Sequence, residues 1–203
     1  PVDPIVAQRL WTQPELSGLN RLPMRPPLVP YPDLDQARTQ DPSHSPWWRS
    51  LDGDWRFLLV NRPESAPDDW HQARFDDQGW RPVAVPGCWT RQDVGDPPQY
   101  TNVQMPFAGE FPDAPVDDPT GLYRTEFAVP GPCKDRRVVL QVGGAGCDQI
   151  VRGRRVRFRS SAREQVLGTA PASSRKIEQA ALCVVTCAAL AALQAQPRQA
   201  ASR

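Results

Sequence analysis

The sequence predicts an all-β sandwich, preceded by an extended arm and followed by a tail of a different kind. Two observations carry the fold class. Apolar residues recur at every second position in several short runs, the period of a strand with one buried face. Pro- and Gly-rich turns separate those runs, and no convincing helical period interrupts them. A third observation bounds the sandwich. Residues 1–150 hold 14 Lys and Arg against 21 Asp and Glu, whereas residues 151–203 hold 10 against 2. All seven Trp precede residue 90, and 22 of the 24 Pro precede residue 151. The formal net charge of +1 therefore hides two kinds of sequence with opposite charge.

Three segments follow from these patterns: an arm over 1–46, a partial sandwich over 47–145, and a divergent basic and Ala-rich tail over 146–203. In the arm, Leu22-Pro23-Met24-Arg25-Pro26-Pro27 forbids a helix and favours extended or polyproline-like backbone. After the Asp52-Gly53 turn, Trp55, Phe57 and Leu59 alternate with Arg56 and Leu58, which predicts a half-buried strand. Residues 68–80 set Trp70, Phe75 and Trp80 among polar turn residues, a spacing suited to capping one edge of the core. Val83 and Val85 predict a short strand that ends at Pro86-Gly87.

A long loop punctuated by Pro106, Pro112, Pro115 and Pro119 follows the polar group Tyr100-Thr101-Asn102. A loop of that length inside a compact domain is usually a binding or interface element. Tyr123, Thr125, Phe127 and Val129 then share one face of a strand, and Val138, Leu140 and Val142 share a face of another. Lys176 to Gln196 is rich in Ala and moderately helical by propensity, so the 146–203 tail is expected to be disordered or marginally helical and unrelated to the sandwich.

The strings YTNVQMPF and DDPTGLYRTEF, with LNRLPMRPPLVPYPD, RSLDGDWRF and FDDQGWRPVAVPGCW upstream of them, resemble the first domain of the β-galactosidases of glycoside hydrolase family 2. The likeness is collinear over about residues 11–145. It implies a jelly-roll sandwich of the galactose-binding type. The arm would lie along neighbouring domains, with Leu19, Leu22, Leu28 and Tyr31 as anchors. It also implies that Asn102, with its neighbour Val103, contacts the galactoside. An amide suits that task because it both donates and accepts hydrogen bonds to adjacent hydroxyls. A loop asparagine bonding its own backbone is the structural alternative.

The chain departs from the family pattern in places. Cys88 replaces the asparagine of a usual G-N-W, and Asp93 replaces a usual glycine. Ile150 to Phe158 reads as a worn copy of the family's V-N-G hairpin, with Arg152 at the turn asparagine. Ser161 falls where the family has an aspartate that helps bind sugar and sodium. After Glu164 the likeness is lost. Ala and Arg enrichment without aromatics is what a shifted frame in a GC-rich gene gives; a genuine divergent tail is the alternative.

Retaining glycoside hydrolysis needs two carboxylates about 5 Å apart. The acid pairs Asp68-Asp69, Asp76-Asp77 and Asp117-Asp118 do not meet this need, because adjacent residues on an extended chain point to opposite sides. Turn and capping roles account for them. The resemblance places both catalytic glutamates in a later barrel, so no catalytic residue is assigned here and the chain alone is expected to be inactive. Magnesium and sodium are implied for the intact enzyme, with no cofactor in this chain. Its partners would be the β-galactoside, the remaining domains and further copies of the enzyme.

Other chemistry has weak support. His44 and His71 are the two histidines, neither lies near a Cys pair, and no metal site is expected. Five cysteines leave an odd one in any paired framework, which favours a reducing, cytoplasmic setting. The opening residues lack the basic and apolar regions of a signal peptide. The longest apolar run, Ala180 to Leu193, is shorter than the ~20 residues of a membrane span. Two rival functions remain: a stand-alone carbohydrate-binding module, and a polyanion binder using the six arginines between Arg152 and Arg163. The second has only Phe158 for base stacking, so nucleic acid is not the expected partner.

Overall fold

A computed structural model of the chain describes residues 4–13, 15–16, 18–19, 23, 28–72, 74–98, 117–128, 131–133, 137–143 and, as backbone, 149–153, 157–160, 166–169, 179–184 and 191–196. The strands are β1 (Gly18–Leu19), β2 (Trp48–Ser50), β3 (Gly53–Val60), β4 (Arg81–Val85), β5 (Thr120–Glu126), β6 (Arg137–Val142), β7 (Gln149–Gly153), β8 (Arg157–Ser160), β9 (Val166–Thr169), β10 (Gln179–Val184) and β11 (Ala191–Gln196). They form a seven-stranded sheet in the order β1-β9-β7-β10-β5-β3-β4 and a four-stranded sheet in the order β2-β11-β6-β8. The architecture is the two-sheet β-sandwich that the alternation predicts.

Period-2 patterning explains the interior directly. Trp55 and Phe57 of β3, Val83 and Val85 of β4, Tyr123 of β5 and Phe127 just beyond it meet Val138, Leu140 and Val142 of β6 in one buried cluster. Each large side chain withdrawn from water there contributes about 1.5–3 kcal/mol. Pairing fixes which residues meet: Trp55 lies opposite Val83, and Phe57 opposite Tyr123. The Phe57 and Tyr123 rings stand edge to face at 4.8 Å. Leu59 packs against the cluster from its margin. Thr125 is half-buried, and Val129 lies outside the described residues.

The outer face of the larger sheet is buried too, which alternation does not predict. Leu122 is fully buried, although it points away from Tyr123. It belongs to a second cluster with Trp11, Trp70 and Trp80, against which Val6, Leu10, Leu16, Leu19, Leu58, Val60 and Phe75 pack. Trp70, Phe75 and Trp80 thus cover the outside of the sheet instead of capping an edge of the interior. Of the expected arm anchors, Leu19 packs on this cluster, Tyr31 is half-buried, Leu28 is 59% exposed, and Leu22 lies outside the described residues. An Arg9–Glu64 ion pair at 2.9 Å also joins the N-terminal segment to the cover.

Two short helices occur where none was expected, α1 (Pro4–Ala7) and α2 (Leu34–Arg38). The second has a local cause. The Asp33 carboxylate accepts the Gln36 backbone N–H at 2.8 Å, and the Gln36 side chain donates back to the same carboxylate at 3.0 Å. Asp at the cap with Gln three residues on starts a helix without any long apolar period. The chain then enters the sandwich at Ser45, whose hydroxyl donates to the Pro30 carbonyl at 2.5 Å and accepts the Trp47 N–H at 3.2 Å.

Both sheets take strands from beyond residue 145. The helix favoured by propensity over 176–196 gives way to β10 and β11. β10 pairs along β5 from Gln179 opposite Glu126 to Val184 opposite Gly121, and β11 pairs along β6 from Ala191 to Gln196. Ladder hydrogen bonds that β5 and β6 would otherwise leave unmade outweigh helix preferences of under about 1 kcal/mol per residue. The 150–158 hairpin is likewise absent: β7 pairs with β9 and β10, whereas β8 lies parallel to β6 in the other sheet. A strand pairs with whichever edge is within reach, and sequence adjacency did not decide it here.

Candidate functional site

Asn102 and Val103, the residues expected to contact sugar, lie outside the described residues, as do Tyr100, Thr101 and Ser161. The described structure holds the two flanks of their loop, residues 86–98 and 117–120. Both flanks are tied to the sandwich by specific bonds.

The first flank leaves β4 at Pro86-Gly87. β4 ends the larger sheet, so its outer backbone groups need partners. The Gln92 side chain supplies them: its carbonyl oxygen accepts from the Ala84 N–H at 2.7 Å, and its amide donates to the Ala84 carbonyl at 3.1 Å. Gly87 leaves room for this contact. A Cβ there would lie 2.6 Å from the Ala84 carbonyl oxygen and 2.7 Å from Gln92 Nε2. Trp89 is fully buried against Phe57 and Tyr123, with ring centroids 5.8 and 6.3 Å away. Its indole N–H donates to Asp96 at 2.7 Å, fixing the far end of the segment to the core. Arg81 donates to the Asp93 carbonyl at 2.8 Å.

Asp93, the residue standing where the resemblance has glycine, has φ = 53°. This is the left-handed region that glycine fills without cost and that Asp tolerates better than most residues. Cys88 is disulfide-bonded, contrary to the expectation of unpaired cysteines, and its Sγ lies 2.9 Å from the Thr90 hydroxyl. The second flank rejoins the sheet where the Asp118 N–H donates to the Asn61 carbonyl at 3.1 Å and the Thr120 hydroxyl donates to the Asp118 carbonyl at 2.8 Å. The segment that carries Asn102 is therefore bracketed by two stretches bonded to the sandwich.

A second polar feature lies on the outer face of the larger sheet. Asp54, Arg56, Asp77, Pro82, Arg124 and Glu126 line an open cleft of about 420 Å³. At its floor the buried Arg124 guanidinium makes a 2.7 Å ion pair with Asp77. It also donates to the carbonyls of Trp70 and Gln72 and lies 5.4 Å from the Phe75 ring. Two other members of the acid pairs behave as turn residues: Asp76 accepts the Gln78 N–H at 3.0 Å, and the Asp69 carbonyl accepts the Gln72 N–H at 2.9 Å. Asp77 is the exception, since its carboxylate neutralises Arg124. Sequence reading missed that partnership, because its two members are far apart along the chain and Arg124 sits in a strand that reads as one-sided.

His71 and Trp70 stand edge to face at 6.1 Å, whereas His44 contacts the Thr39 hydroxyl at 3.0 Å. Among the described residues no group of three His, Cys, Asp or Glu is placed to hold a metal. No helix among them is long and apolar enough to cross a membrane.

Comparison with known proteins gives this sandwich a family. The family model described as the sugar binding domain of glycosyl hydrolases family 2 matches residues 48–166, running beyond residue 145, where the collinear motifs end. A β-galactosidase of Erwinia tasmaniensis is 40% identical over 123 residues, which cover 61% of this chain and 12% of that protein. β-Galactosidases of Psychromonas ingrahamii and Pectobacterium atrosepticum are 35% and 37% identical, covering 66% and 62% of this chain and 13% and 12% of theirs. The chain thus spans about an eighth of the length of these relatives. With more than half of its residues matched, it belongs to the family of glycosyl hydrolases family 2 sugar binding domains.

Proposed function

We propose that the chain is the sugar-positioning domain of a β-galactosidase, an enzyme that hydrolyses terminal non-reducing β-D-galactosides with retention. The observation that carries this reading is the family match over residues 48–166; relatives named β-galactosidase support it. In this reading Asn102, with Val103, meets the sugar at the end of a loop whose flanks are fixed by Trp89, Asp96 and Asp118. The acid and nucleophile come from parts of such an enzyme outside the eighth aligned here. The chain's own contribution is binding and orientation, and by itself it hydrolyses nothing.

Magnesium and sodium belong to the assembled enzyme. Of the acids on the described loop flanks, Asp96 is engaged by the Trp89 indole. No step is assigned to either ion. The remaining domains and further copies of the enzyme are the proposed partners. A cytoplasmic location goes with this reading, supported by the odd number of cysteines; the Cys88 disulfide is the observation against it. Thiol titration of denatured protein taken from the cell decides the point. Five reactive thiols fit a reducing compartment, and three would place the chain in an oxidising one.

The enzymatic reading is tested in a chimera in which this chain replaces the aligned segment of the Erwinia tasmaniensis enzyme. Hydrolysis of a nitrophenyl β-galactoside is expected. Asn102→Ala is expected to raise KM about tenfold, equivalent to about 1.4 kcal/mol for lost sugar hydrogen bonds. A chimera that assembles but does not hydrolyse would overturn the reading, and one indifferent to Asn102→Ala would remove the residue from it. One observation favours a second reading, a free-standing carbohydrate-binding module: strands from beyond residue 145 complete pairings in both sheets. Galactose binding by the isolated chain would select that alternative.

A further inference from the structure

We propose that the turn carrying His71 is a pH-operated latch: protonation of His71 undoes the hold of Arg124 on residues 70–72 and loosens the 61–80 cover from the outer face of the seven-stranded sheet. The geometry is specific. Arg124 projects from β5 and donates to the carbonyls of Trp70 and Gln72, the two residues that flank His71. One guanidinium thus clasps the turn on either side of the histidine. Asp77 holds that guanidinium in place from behind at 2.7 Å. The clasp secures an apolar layer: Trp70 and Trp80 lie over Leu122, with Leu58 and Phe75 packed against them.

Among the described residues, two charged groups act on the imidazole. On its own turn, Asp69 attracts a proton to it, although one Asp69 carboxylate oxygen already accepts from the Gln72 side chain. From β5, Arg124 repels a proton, and Asp77 beyond it is committed to Arg124. The Trp70 ring supplies an apolar wall. Burial first, and Arg124 second, hold the imidazole below its ordinary value of 6.5, outweighing the opposing pull of Asp69. The neutral ring is therefore the form that fits the closed turn. Stability from this fit is present above the unfolded value and is lost as pH falls through 6.5 towards the folded value. The least disruptive relief for a charged ring is to move into water, and that separates the turn from Arg124.

The test uses the full 203-residue chain, in which two histidines give two ring-proton resonances. His71→Gln identifies the His71 signal, and His71→Phe serves if the glutamine variant is unstable. Three results are expected. The His71 midpoint lies below 6.5. The amides of Trp70, Gln72 and Trp80 lose exchange protection as pH falls, after correction for intrinsic rates, by at most about tenfold per pH unit, the limit for one proton. His71→Gln abolishes that pH dependence while His44→Gln leaves it unchanged. Asp69→Asn, by removing the attraction, moves the His71 midpoint further down.

A His71 midpoint at or above 6.5 overturns the proposal. So does equal acid sensitivity in the wild type and His71→Gln, which would assign the effect to carboxylates. Loss of protection spread evenly over β3, β5 and β6 also overturns it, because the whole fold would then be opening.

Discussion

Replacing Arg124 with methionine is expected to destabilise the domain by about 3 kcal/mol or more, read as a lower urea midpoint with unchanged m. The charge is buried among Trp70, Phe75 and Asp77, in a surrounding that tolerates it because an ion pair and two carbonyl acceptors compensate for it. Its Nε pairs with Asp77 at 2.7 Å, and its Nη1 serves two backbone carbonyls. Methionine conserves much of the volume but leaves those two carbonyls without their donor and leaves the Asp77 carboxylate with no counter-ion. Unmet buried polar groups cost about 1–3 kcal/mol each, so the loss is large even though the pair itself adds little net stability.

Asp77→Asn should cost less, because the Asp77 side chain is 26% exposed and water there replaces part of the ion pair. Combining Arg124→Met with Asp77→Leu should recover part of the loss, since it removes the stranded carboxylate. If Arg124→Met shifts stability by less than about 1 kcal/mol, the pair is a surface contact and the account of the outer layer fails.

Gly121→Ala is expected to destabilise by about 2–3 kcal/mol despite adding one methyl group. The new Cβ would lie 2.6 Å and 2.7 Å from two atoms of the Trp89 indole and 2.7 Å from the Phe57 ring. Both rings are essentially inaccessible and wedged against Tyr123, so neither can retreat. Gly121 is thus fixed by the close approach of a side chain to the strand backbone.

Trp89→Leu vacates the space, so the double variant should be less damaging than the sum of the two single changes. A coupling of at least about 1 kcal/mol in that cycle is the expected signature. Strict additivity would mean that the glycine answers to something other than the indole. Because Trp89 also anchors Asp96, and through it the flank of the Asn102 loop, Trp89→Leu in the β-galactosidase chimera should weaken substrate binding as well as stability.

Much of the interior was legible in sequence. Trp55 with Phe57, Val83 with Val85, and Val138 with Leu140 and Val142 were each placed on a buried face by alternation, and one core contains them all. The outer layer was not legible in the same way. Leu122 and Arg124 fall on the face that alternation left unassigned, because strand periodicity reports only that two faces exist. It does not report what a segment fifty residues away lays over the second one. Trp11, Trp70 and Trp80 carried the available hint: seven Trp exceed what the inner face of a small sandwich needs. The α2 cap was readable from Asp33 and Gln36, but a five-residue helix leaves no periodicity to find. For the site, the Pro-rich loop and Asn102 were singled out by likeness to a family, and the anchors Gln92, Asp96 and Asp118 were not, since their roles exist only once the chain is folded.

By itself the sequence determined the fold class, the inner face of each central strand and the family. Those properties follow from local alternation, turn residues and a collinear string of motifs, all of which survive without knowledge of contacts. Tertiary structure alone decided that the larger sheet is buried on both sides, that Asp77 neutralises Arg124, and that Gly121 must lack a side chain. It also decided that the Ala-rich segment after residue 176 forms strands. Each of those outcomes depends on groups distant in the chain, where the need to pair a sheet edge, neutralise a buried charge or accommodate an indole outweighs what neighbouring residues prefer.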